Sequence, residues 1–79
     1  MSFEELVDKE RIYQDKLWGE QNHEPDKWLV ILMEEIGEMS KAVLDMPASN
    51  VESEVERELI QCAAVLKAMW ESGKRNGWL

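Results

Sequence analysis

The chain has 79 residues, seventeen acids against nine bases and a formal net charge of −8. That balance excludes a nucleic-acid footprint, which needs clustered Lys and Arg to neutralise phosphates. A hydrophobic content of 44% excludes a disordered acidic tail, and no apolar run approaches the roughly 20 residues that span a bilayer. Cys62 is the only cysteine, so no internal disulfide forms. The acidic start Met1-Ser2-Phe3-Glu4-Glu5 has no signal-peptide pattern, and a cytoplasmic location is expected. A single domain over 1–79 buries only roughly 60% of its unfolded surface, which favours association.

Helix signals dominate. Ser2 with Glu5 forms a capping-box pattern, and Phe3, Leu6, Tyr13 and Leu17 recur at helical spacing, predicting a first helix over about 3–18. Gly19 to Glu24 reads as a turn. Pro25 and Asp26 suit the first turn of a second helix over about 25–45, with Trp28, Leu32, Ile36, Met39 and Val43 as its apolar face. Gly37 inside it weakens the helix and suggests close packing at that point. Met46 to Asn50 breaks the pattern. Ser49 with Glu52 caps a third helix, in which Val51, Val55, Leu59, Cys62, Leu66 and Met69 form a stripe that ends near Ser72, with Gly73 as the terminator. No segment alternates like a strand, so the expected class is all-α.

Two of these helices carry acids where apolar residues belong. At 100° per residue, Glu35 falls inside the apolar arc of the second helix beside Trp28, Leu32 and Met39, and Glu38 lies at its margin. In the third helix Glu58 flanks the apolar stripe, with Gln61 and Glu54 on the same shoulder. Carboxylates without partners are costly to desolvate, and acids four apart repel. A hard divalent cation held by oxygen ligands from facing helices would relieve both penalties. The competing reading makes these acids solvated flanks that pair across helices.

Glu34-Glu35-Ile36-Gly37-Glu38 is an EExxE motif, and Glu58-Leu59-Ile60-Gln61 follows twenty residues later. Together with Leu17-Trp18-Gly19-Glu20-Gln21-Asn22-His23 and Trp28-Leu29-Val30-Ile31-Leu32, residues 10–72 resemble the MazG-like all-α nucleoside triphosphate pyrophosphohydrolases. The family signature is EExxE on one helix and ExxD on the next. The resemblance implies Mg²⁺, with Mn²⁺ as a substitute, held by Glu35, Glu38, Glu58 and Gln61. It also implies catalytic roles for Glu34, Glu35 and Glu38. Its reaction cleaves a nucleoside triphosphate between the α and β phosphates, leaving monophosphate and pyrophosphate, as nucleotide-pool housecleaning. Gln61 stands where the family has Asp, so one metal position should bind more weakly, and Glu54 is a candidate to compensate.

His23 reads as a turn residue capping the second helix or as a contact to the nucleotide, and Trp28 as core or a stacking partner for the base. Lys41 and Lys74 read as solvated surface or phosphate contacts. Trp18, Met33, Met39, Met46 and Met69 read as core or interface, and Cys62 as a buried thiol. Longer relatives continue past the position of Leu79 with phosphate-binding residues, so a second subunit is expected to complete the pocket. The expected assembly is a homodimer, or a dimer of dimers, whose three-helix protomers build a four-helix-bundle-like core. No nucleic acid and no membrane are expected as partners. The rivals are a catalytically weak relative serving as a nucleotide-binding or interaction module, and a purely structural oligomerising bundle.

Overall fold

The computed structural model describes residues 1–45 and 52–79. Three helices account for most of them: α1 (Phe3–Trp18), α2 (Pro25–Leu44) and α3 (Glu52–Asn76). Among the described residues there is no strand, and no helix is long and apolar enough to cross a membrane. Met46, the capping residue Ser49 and Val51 of the expected stripe lie outside the described residues.

The start of α1 follows the sequence expectation. Ser2 Oγ accepts from the Glu5 amide at 3.1 Å, and Glu5 Oε1 accepts from the Ser2 amide at 3.2 Å. These reciprocal bonds satisfy two of the amides a helix start leaves unpaired. Gly19 then stops α1 at φ +73°, a left-handed value that favours glycine. Pro25 occupies the first turn of α2, where its missing amide costs nothing.

α3 is the central element. It packs against both α1 and α2, which hardly meet one another. Serving two neighbours, its inward arc is built from small side chains: Cys62, Ala64, Val65, Ala68 and Ser72 are buried. The main core is compact, with Trp28, Val65 and Ala68 at its centre and Ile31, Leu32, Met69 and Trp78 around them.

The end of α3 corrects the expectation of a stop near Ser72. The helix continues to Asn76, and Gly77, at φ +80°, takes the terminator role. The Trp78 amide donates back to the Gly73 carbonyl at 3.1 Å, the long-range bond of a Schellman ending. Gly73 is glycine for another reason: a Cβ there would stand 2.5 Å from Leu79 Cδ1. The chain folds back over it and returns Trp78 to the core.

Polar bonds fasten α1 and the 19–24 turn onto α3. Arg11 donates to Glu71 Oε1 from Nε at 2.9 Å and from Nη2 at 2.7 Å, and Lys67 pairs with Asp8. Arg75 donates to Asn22 Oδ1 at 2.9 Å and to the Gln21 carbonyl at 3.0 Å, while Asn76 donates to Asn22 at 2.9 Å. The apolar face expected for α1 is not its packed face. Phe3, Tyr13 and Leu17 are more than half exposed, whereas Val7 and Gln14 are buried. Gln14 is satisfied by Arg11 and Glu10, both about one helical turn before it.

Candidate metal centre and adjoining recesses

The acids at the α2–α3 contact come together. Glu35, Glu38 and Glu58 each bring a carboxylate oxygen to a common point, all within 4.8 Å of one another. The helical repeat explains the placement. Glu35 and Glu38 are three residues apart on one side of α2, and Glu58 projects from the arc of α3 that faces it. Glu58 is more deeply placed than a flanking residue, at 8% exposed, while Glu35 is half-buried and Glu38 exposed.

Their electrostatics are those of an uncompensated cluster. Oε2 of Glu35 and Oε2 of Glu58 are buried without a hydrogen-bond partner among the described residues. Burial pushes the Glu35 carboxyl above its usual range, and the charges of Glu38, Glu58, Glu10 and Glu34 add to the effect. Burial also raises Glu58, with Glu38 contributing and Arg57 opposing. The buried Cys62 thiol is pushed up by burial and by the same three acids, which places it beside them. Oxygen ligands on opposite sides of Mg²⁺ stand about 4.2 Å apart, twice the bond length. Adjacent ligands stand closer, about 3 Å apart, so the triangle within 4.8 Å, with its orphaned carboxylate oxygens, fits a hard divalent cation once the three carboxylates draw inward onto the ion.

Two recesses adjoin the cluster, each sharing acids with it. One, of about 210 Å³, is walled by Trp18, Trp28, Ile31, Val65 and Ala68, with Gln14, Gln21 and Glu35 as its polar residues. Trp28 is 1% exposed, yet its Nε1 has no partner among the described residues. His23 packs edge-on against it, with ring centroids 5.0 Å apart and Nε2 also buried with no partner among those residues. The other recess, of about 240 Å³, is charged: Glu38, Glu54 and Glu58 line it with Lys41, Arg57 and Asp45. A larger recess, about 340 Å³ beside Leu6, Lys9 and Ile60, is an open groove between α1 and α3. It contains none of the clustered acids, so size alone does not locate the chemistry.

Some of the residues singled out from the sequence converge here and others do not. Glu35, Glu38 and Glu58 meet; Gln61 lies one turn beyond Glu58 and is half-buried. Glu34 is exposed on α2 and outside the triangle, and Lys41 is exposed at the rim of the charged recess. Lys74 lies over the Trp70 ring at 5.9 Å, sixteen residues and about 24 Å along α3 from Glu58. His23 does not cap α2, because Glu24 holds that position without a side-chain bond. Trp18 and Met33 are more than half exposed and are not core. Gly37 has nothing within 4 Å of the position a Cβ would occupy, so among the described residues there is no close packing at it.

Two residues near the acids, Glu10 and Gln14, do not stand out in the sequence. Their signal was a polar pair on the packed side of α1, visible only once α1 is seated on α3. Comparison with known family models, curated proteins and solved structures finds no match to this chain.

Proposed function

We propose that the protein is a Mg²⁺-dependent nucleoside triphosphate pyrophosphohydrolase, acting on the nucleotide pool as a homo-oligomer. The observation that carries the reading is the acid triangle with orphaned oxygens, joined to an aromatic recess through Glu35 and to a charged recess through Glu38 and Glu58. A ligand with a flat apolar ring at one end and an anionic tail at the other matches that pairing. The resemblance to MazG-like enzymes names a nucleoside triphosphate as that ligand.

The chain's own residues divide the work. The aromatic recess takes the base, with Trp28 Nε1 and the Gln21 amide available to pair with its polar edge and His23 packed against Trp28. Arg57 supplies positive charge for the phosphate tail. Glu35, Glu38, Glu58 and the Gln61 amide oxygen would hold the metal. Bound there, Mg²⁺ would supply the positive charge that offsets the acids and phosphates and would polarise the scissile phosphate. Glu38, the exposed member, accepts the proton of a water that attacks the α phosphorus. The bond from that phosphorus to the bridging oxygen breaks, and pyrophosphate leaves with its electron pair.

Gln61 favours a second reading. A neutral amide in place of a carboxylate suits a module that binds nucleotide with Mg²⁺ and turns it over weakly. Pyrophosphate release across a panel of canonical, deoxy and modified nucleoside triphosphates decides between them. The enzyme reading expects Mg²⁺-dependent release from some member, lost on Glu58→Gln and increased on Gln61→Asp. Silence across the panel from a folded protein that nucleotide plus Mg²⁺ stabilises would establish the binding module instead.

A further inference from the structure

α2 is apolar on two opposite sides. Trp28, Ile31 and Leu32 face the core with Val65 and Ala68. At 100° per residue, the opposite side carries Leu29, Met33, Gly37, Ser40 and Leu44 in one stripe, with its large apolar members exposed. Leu29 is 53%, Met33 56% and Leu44 80% exposed, and Val30 beside them is 56% exposed. A helix apolar on every side belongs inside a core, and a continuous apolar stripe on a small protein marks an interface. Gly37 sits in the middle of it with open space above its Cα. Nothing among the described residues gives a reason for a residue that weakens a helix interior relative to alanine.

We propose that a second copy of this chain docks on this stripe, with the two α2 helices antiparallel across a two-fold axis near Gly37. Three features select that occupant. First, two copies carrying −8 each repel unless they meet on an uncharged surface, and the stripe from Leu29 to Leu44, about 22 Å long, is uncharged. Second, it is self-complementary. Turned end for end, Leu29 meets Leu44 of the partner subunit, Met33 meets the partner's Ser40, and Gly37 lies where the backbones approach most closely. Third, the flanking charges match. Glu34 and Lys41 share one margin of α2, and neither has an ion pair among the described residues. The antiparallel arrangement brings each Lys41 within about 3 Å, along the axis, of the partner's Glu34. A parallel pair would set that margin against the side bearing Leu29 and Ser40, leaving both charges unanswered.

The inference rests on the oligomeric part of the proposed reading and not on its nucleotide chemistry. Sedimentation velocity with circular dichroism tests it. The native chain should sediment as a dimer, Met33→Asp as a helical monomer, and Leu66→Asp, on the exposed face of α3, as a dimer. Cysteine crosslinking in a Cys62→Ala background gives the direction. Gly37→Cys and the pair Leu29→Cys/Leu44→Cys should yield covalent dimers, and Leu29→Cys alone should not. A monomeric native chain, a dimeric Met33→Asp variant, or crosslinking by Leu29→Cys alone would overturn the proposal. Sedimentation reports on the interface and pyrophosphate release on the chemistry, so either can fail without the other.

Discussion

Glu35 and Glu58 sit where a stable metal-free protein has no use for them. Each has a buried oxygen without a donor among the described residues, and each is raised first by burial and then by neighbouring acids. A carboxyl whose folded pKa exceeds its unfolded value supports the fold fully below the unfolded value, and that support disappears as pH rises through the folded one. In the absence of divalent cations, Glu35→Gln should therefore raise Tm at pH 7. The gain should shrink as pH falls toward the usual carboxylate range, where native Glu35 holds its proton. Thermal melting with a chelator across that range checks this. A lower Tm for Glu35→Gln at pH 7 would mean that the ionised group is already compensated. The same substitution should reverse its effect with cation present, because the variant loses a ligand.

At the level of elements, the three helices were legible because caps and periodicity are local. Ser2 with Glu5 and Pro25 announce their helices without help from the rest of the chain. What was not legible depends on which side of a helix finds a neighbour. Tyr13 and Leu17 have the spacing of a buried face, yet α1 is held by Val7, Gln14 and the Arg11–Glu71 bond, because α3 meets only one side of it. Gly73 and Gly77 were exchanged for a related reason: either glycine suits a helix end, and only the fold-back of Trp78 and Leu79 shows which one stops α3. Gly77→Ala isolates that device. Its φ of +80° with open space around it makes the cost one of backbone strain, about 1–2 kcal/mol. Denaturant unfolding should show that loss with an unchanged slope. An unaffected midpoint would leave Gly77 without a role in ending α3.

For the whole molecule, the acidity divides into parts with different work. Asp8, Asp15, Glu20 and Glu71 pair with Lys67, Arg11 and Arg75; of these pairs, all but Arg11–Asp15 fasten α1 and the 19–24 turn to α3. Glu35, Glu38 and Glu58 are left facing one another. The acid triangle was readable in the sequence because EExxE sets its spacing on α2 and the third helix supplies Glu58 from across the contact. The aromatic recess beside it was not, since Trp18, Trp28 and Val65 lie on three different helices. The proposed chemistry depends most on the triangle being a cation site. Isothermal titration of Mg²⁺ into the metal-free protein, with Glu58→Gln and Glu38→Gln alongside, tests that directly. Saturable binding to the native chain, lost or weakened at least tenfold in both variants, is the expected result. Equal binding in all three, or none in the native protein, would contradict it.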